Sequence, residues 1–92
     1  MRKYEAMFVF DPREEPETMK DYLKNLLQEK GGKILEEKDG GIRNLAYPIK
    51  KRERGFYYII NAELDPKNNE SLKRELNIKE SVLRYMFIVQ ES

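Results

Sequence analysis

Polar and apolar positions alternate imperfectly from Lys3 to Phe10, with Tyr4, Ala6, Phe8 and Phe10 on one face and Glu5, Met7 and Val9 on the other. That period of two predicts a first strand. Asp11-Pro12 ends it, and Pro16 suits the first position of a helix whose early carboxylates, Glu14, Glu15 and Glu17, lie near the positive end of the helix dipole. Met19, Tyr22, Leu23, Leu26 and Leu27 recur at helical spacing until Lys30-Gly31 supplies a stop. From Lys33 to Glu37, Ile34 and Leu35 stand among charges, and Asp39-Gly40-Gly41 interrupts before a second strand-like run to Tyr47. We read these as one long, bent strand at a sheet edge, because charge and a glycine bulge deter pairing with foreign strands. Pro48 to Arg54 reads as a hairpin loop and Gly55 to Leu64 as the most β-prone run of the chain. Asp65-Pro66 then caps a second helix that ends near Asn77, with Leu72 and Leu76 on its buried side. Val82 to Gln90 is a final apolar strand, with Leu83, Tyr85, Phe87 and Val89 on one face and Val82, Arg84, Met86 and Ile88 on the other.

The order strand, helix, strand, strand, helix, strand predicts an α+β, ferredoxin-like βαββαβ sandwich: a four-stranded antiparallel sheet with two helices on one face. We see no linker, repeat or low-complexity stretch, so residues 1–92 are expected to form a single domain. A chain this short buries only about 60–65% of its unfolded surface, and function is expected on the outside rather than in a deep cavity.

Composition narrows the chemistry. The absence of Cys and His removes disulfides, the usual zinc and haem ligands, thiol chemistry and the best proton-transfer side chain near neutral pH. Catalytic residues, a metal, a cofactor and a small-molecule substrate are therefore not expected. The longest apolar runs, Ala6 to Phe10 and Phe56 to Ile60, are of strand length, which points to a cytoplasmic protein without a membrane partner. Eighteen Lys and Arg against 17 Asp and Glu give no global electrostatic footprint, so an anionic partner must meet a local patch. The 38% charged content would suit surface ion-pair networks of a heat-adapted protein.

Arg54-Gly55-Phe56-Tyr57-Tyr58-Ile59-Ile60-Asn61 is similar to the octamer of RNA-recognition motifs, and Met7-Phe8-Val9-Phe10 partly matches their companion hexamer. Tyr57 and Asn61 depart from the pattern. Strand parity weighs against this reading, because Glu5, Asn61 and Glu63 fall opposite Phe8, Phe56 and Tyr58, so these aromatics should face the helices rather than stack on bases. The outer face is left with Met7, Val9, Tyr57, Ile59, Met86 and Ile88, a candidate surface for a protein partner.

Arg43, Lys50, Lys51, Arg52 and Arg54, offset by Glu53, cluster in and beside the hairpin, where projecting cations can reach phosphates. Arg2, Lys3 and Arg84 add charge if the first and last strands are neighbours; an ordinary solvated turn is the plainer reading. Gly40-Gly41 has no following helix and reads as a strand bend, and Glu36, Glu37 and Asp39 read as a solvated edge. Ser71, Ser81 and Ser92 have no His to activate them. An acylphosphatase-like hydrolase is a remote alternative: Arg13 and Asn44 are its only stand-ins, and Asp11 to Pro16 offers acids and prolines in place of a glycine-rich phosphate loop.

Gly41, Arg43, Asn44, Leu45, Ala46, Tyr47, Ile49 and Lys50 resemble, position for position, the signature of bacterial ribosomal small-subunit protein six, the S-six family. Met1 to Glu5, Asp11-Pro12, Gly55 to Glu63 and Arg84-Tyr85-Met86 extend the resemblance over nearly the whole chain. It implies a ribosome-associated structural protein of the small-subunit platform that binds the central domain of 16S rRNA together with ribosomal protein S-eighteen. It also implies structural roles for Leu45, Ala46 and Tyr47 and RNA contacts at Arg43 and Lys50; Arg2, Lys51, Arg52, Arg54 and Arg84 rest on charge and placement. Some members carry a long acidic C-terminal tail, whereas this chain stops at Gln90-Glu91-Ser92, so tail modification is not expected.

Overall fold

A computed structural model describes residues 1–90; Glu91 and Ser92, and with them the expectation about a tail, lie outside the described residues. The elements are β1 (Arg2–Phe10), α1 (Pro16–Glu29), β2 (Lys33–Ile49), β3 (Arg52–Leu64), α2 (Asn69–Ile78) and β4 (Val82–Val89). All strand pairs are antiparallel, in the order β2-β3-β1-β4. This is the predicted ferredoxin-like arrangement.

Each helix boundary has a local cause. Glu15 precedes Pro16 and its carboxylate accepts from the Glu17 and Thr18 N–H groups, which holds its pKa below the usual carboxylate range. At the other end the Gly31 N–H closes on the Gln28 carbonyl and the Gly32 N–H on the Leu27 carbonyl, a Schellman pattern that satisfies two of the last carbonyls, and Asn68 Nδ2 donates to the Lys30 carbonyl. Asp65 caps a single 3₁₀ turn, Pro66–Asn68, before α2 begins at Asn69, so the α-helix starts later than the Asp65-Pro66 signal suggests.

The core lies between the helices and one sheet face. Tyr4, Ala6, Phe8 and Phe10 from β1 meet Phe56, Tyr58, Ile60 and Ala62 from β3, under Met19, Leu23, Leu26, Leu27, Leu72 and Leu76. Phe10 and Phe56 stack at 4.7 Å between centroids, and Phe8 meets the edge of Phe87 at 6.2 Å. The parity argument holds for β1 and β3. It fails at the start of β4, where Val9 pairs with Arg84 but Phe10 pairs with Val82, leaving Leu83 as an extra residue. This bulge puts Val82 in the helix-side core, so Val82 and Leu83 are exchanged relative to the simple alternation.

The long edge strand is bent as predicted. Its register against β3 shifts at Ile34/Glu36 and again at Asp39/Gly41, where Gly41 has φ +75°. The acidic run is exposed, as a solvated edge should be, yet two of its carboxylates are engaged. Asp39 binds the buried Lys20 ammonium, which also lies 5.4 Å and 5.7 Å from the Phe56 and Tyr58 ring centroids. Glu37 accepts from the Tyr58 hydroxyl at 2.8 Å and from Lys24 at 3.2 Å. Glu36 is exposed.

The Tyr58 hydroxyl, followed by Lys24, holds the Glu37 carboxyl below its ordinary pKa, while burial followed by Glu37 raises that of Tyr58. A depressed carboxylate contributes stability that is complete above its unfolded pKa of about 4.3 and is lost as pH falls through the lower folded value. Glu37→Gln should therefore lose less urea resistance than the parent between about pH 6 and pH 3. Parallel pH profiles for the two proteins would show that this strand anchor contributes no such term.

Candidate nucleic-acid interface

The connection between β2 and β3 is tighter than the predicted loop from Pro48 to Arg54. Ile49 pairs with Arg52, leaving a two-residue turn, Lys50-Lys51, with φ of 49° and 65°. Two left-handed residues suit the right-handed twist of a tight hairpin, but lysine pays a steric cost for that conformation that glycine avoids. Lys51→Gly should raise unfolding free energy by about 1 kcal/mol while removing an exposed charge at the tip. An unchanged or lower urea midpoint would contradict the turn geometry.

Before this turn the signature segment leaves the ladder. Asn44 pairs with Arg54 and Ile49 with Arg52, so Leu45 to Pro48 face a single β3 residue, Glu53. Four residues against one must arch out of the sheet. Leu45 is half-buried, whereas Ala46 is exposed and Tyr47 is 60% exposed, so only Leu45 of the implied structural trio packs inward. The arch closes over Gly55. An added Cβ there would overlap Val9 Cγ1 and lie 3.4 Å from Leu45 Cδ2, which explains why a residue without a side chain stands at this point of β3. Tyr47 reaches across to β4, its hydroxyl 3.4 Å from Arg84 Nη1.

The sequence-predicted cations separate into three kinds. Lys51 and Arg54 are exposed and form no ion pair among the described residues. Lys50, Arg43 and Arg52 are held: the Lys50 ammonium donates to the Val82 carbonyl at 3.0 Å, Arg43 Nε to the Gly40 carbonyl at 3.1 Å, and Arg52 Nε to Asp11 Oδ2 at 2.8 Å. Arg43 also lies over the Tyr57 ring at 5.5 Å from its centroid. Arg84, opposite Val9, belongs to the same end of the sheet. Arg2 does not. It pairs with Leu64, eight strand residues from Phe10, on the order of 25 Å away at the rise of an extended chain, and Lys3 is beside it.

Asp11 organises this end. Its carboxylate is buried and accepts from the Arg13 backbone N–H at 3.0 Å, from Arg13 Nε and Nη2, and from Arg52. Its own N–H donates to the Ser81 carbonyl at 2.8 Å, which ties the β1–α1 turn to the approach of β4. The sequence alone marks Asp11 as a strand terminator and part of the first turn, and Arg13 as an acylphosphatase stand-in, without joining either to the hairpin. The available signal was an acid placed where neighbouring antiparallel strands bring it beside the basic hairpin. With Asp11 filling its fork, Arg13 lacks the open loop that a hydrolase of that type requires.

The outer face of the sheet is a grid. Ile59, Met7 and Met86 lie side by side across β3, β1 and β4; Tyr57, Val9 and Arg84 form the adjacent row, and Asn61, Glu5 and Ile88 the next. Met86 and Ile88 are exposed, and Met7, Tyr57 and Ile59 are half-buried. Val9 points to this side but is only 4% exposed beneath the arch, so it offers a partner no surface. Phe8 and Tyr58 are fully buried and Phe56 is 9% exposed, which leaves no RNA-recognition-motif stacking platform. Among the described residues no group of three or more His, Cys, Asp or Glu side chains could hold a metal, and no helix is long and apolar enough to cross a membrane.

Residues 3–89 match the family described as Ribosomal protein S6. The chain is 40% identical to the small ribosomal subunit protein bS6 of Caldanaerobacter subterraneus, over 96% of both chains. It is also 40% identical to bS6 of Nitratiruptor sp., over 100% of this chain and 74% of that one. The crystal structure of 30S ribosomal protein S6 from Thermotoga maritima superposes with a TM-score of 0.87 at 28% identity, covering 97% of this chain and 87% of that chain.

Proposed function

Because the chain belongs to the ribosomal protein S6 family, a non-enzymatic component of the small ribosomal subunit, we propose that it binds the central domain of 16S rRNA together with ribosomal protein S-eighteen. On this reading residues 1–92 act as one ribosome-associated domain. The observation that carries it is the adjacency of two surfaces: the exposed cations Lys51 and Arg54 at one end of the sheet, and the apolar row Ile59, Met7 and Met86 on its outer face.

The charge supports a shared task. With a net charge of +1 and Lys50 and Arg52 already engaged, the hairpin end has few free cations with which to displace counterions, so a basic partner would supply much of the phosphate neutralisation. The apolar row would then meet protein and the hairpin end RNA. Binding to the isolated RNA should be weak, and tighter once the partner is present. Equal affinities with and without it, by gel shift at fixed salt, would defeat the proposal. Within the ternary complex, Lys51→Ala with Arg54→Ala should flatten the dependence of log K on log salt by about two units, one for each lost phosphate contact. An unchanged slope would mean that the hairpin faces elsewhere.

A further inference from the structure

Resting on the reading that the hairpin end meets RNA, we propose that the cleft between the Asp11–Arg13 turn and the β2–β3 hairpin seats one backbone phosphate, with Arg13 as an additional contact. The cleft measures about 530 Å³ and is lined by Asp11, Arg13, Lys51, Arg52, Glu53 and Arg54, together with two prolines. Four cations surround two carboxylates there, so the lining carries a local surplus of two positive charges in a protein whose net charge is +1.

The arrangement of the guanidinium groups matters more than the count. Asp11 takes Arg13 through Nε and Nη2, at 3.3 Å and 3.1 Å, and Arg52 through Nε. Among the described residues, Arg13 Nη1 and both terminal nitrogens of Arg52 have no protein acceptor. One carboxylate thus fixes two forks and leaves three nitrogens with donors to offer. A flexible surface arginine loses side-chain entropy when it grips an anion, whereas these two are already held on Asp11 in the folded protein. The Arg13 backbone N–H is held by the same carboxylate, so the turn itself is ordered. The free Nη1–Nη2 end of Arg52, with Arg13 Nη1 and the exposed Lys51 and Arg54 around the same cleft, suits a phosphodiester, which accepts in a bidentate manner.

Two measurements test this. Isotope-labelled protein titrated with inorganic phosphate should show saturable shifts of the Arg13 and Arg52 Nε–H signals; no shift, or the same shift in sodium chloride of equal ionic strength, would overturn the site. In the ternary RNA complex, Arg13→Gln should flatten the salt dependence by about one unit at unchanged melting temperature, because Asp11 keeps Arg52, and Arg13→Lys should restore most of the slope. A lower melting temperature with the parent's slope would mark Arg13 as purely structural and overturn the proposal. If the parent protein binds no RNA in any combination, the proposed function fails, and the phosphate titration decides the cleft by itself.

Discussion

Phe8→Ala should remove about 3–5 kcal/mol of stability and leave little folded protein, because Phe8 is fully buried in β1, an inner strand paired with both β3 and β4. Small domains have only about 5–15 kcal/mol in total. Tyr58→Ala should do as much, since it also strips Glu37 of the hydroxyl that anchors the edge strand. The measurement is a urea or thermal unfolding curve followed by circular dichroism. A variant that folded with parental stability but had lost affinity for single-stranded RNA would restore the stacking-platform reading and move these aromatics to the open face.

Asp11→Ala should cost about 2–3 kcal/mol. Breaking a fully buried ion pair from one side costs about 3–5 kcal/mol, but Arg13 is two-thirds exposed and Arg52 about one-third, so water recovers part of the loss. What water does not replace is the connection. The carboxylate joins the β1–α1 turn to the hairpin, and the backbone of the same residue joins that turn to Ser81. Asp11→Asn should recover a fraction of the stability, since its amide oxygen can still accept from the Arg13 backbone. Both variants should weaken RNA binding at temperatures where they remain folded, because two guanidinium groups lose their common support. A parental melting temperature for Asp11→Ala would show that the three segments hold together without it.

The parts of the fold legible in the sequence were those governed by one residue's immediate neighbours. Glu5 beside Phe8, and Asn61 and Glu63 beside Tyr58 and Ile60, fixed which face of the central strands meets the helices. Pro16, Asp65 and the Gly31-Gly32 pair punctuated the helices because their effects act within one turn. The misreadings share the opposite property. Lysines give no local signal for a mirror-image turn, so Lys50-Lys51 passed for part of a longer loop. The extra residue at Leu83 is visible only against its partner strand, and it reverses the alternation that a lone strand suggests. Arg2 was grouped with the hairpin cations on strand adjacency alone, although antiparallel pairing carries it to the far end.

The candidate site was legible as a charge cluster and illegible as a structure. Lys50 and Arg52 read as projecting cations, yet each is anchored to a residue 32 or 41 positions away, and of the four cations from Lys50 to Arg54 only Lys51 and Arg54 remain unengaged among the described residues. The bridging role of Asp11 is hidden for the same reason, since Arg52 is 41 positions away. Likewise the exposure of Tyr47 depends on an arch that no single position in the signature encodes.

The strand order has a consequence for how the chain is made. β1 is the first strand synthesised, yet it lies inside the sheet and receives its second neighbour only from β4, about seventy residues later. At translation rates of about 5–20 residues per second, Phe8 and Phe10 spend several seconds attached to a chain that cannot yet enclose them. Their pairing also closes long loops, which slows folding relative to local hairpins. A nascent chain of this topology therefore carries the apolar stretch Ala6 to Phe10 uncovered until β4 is made, and early engagement by a chaperone at β1 is the expected remedy.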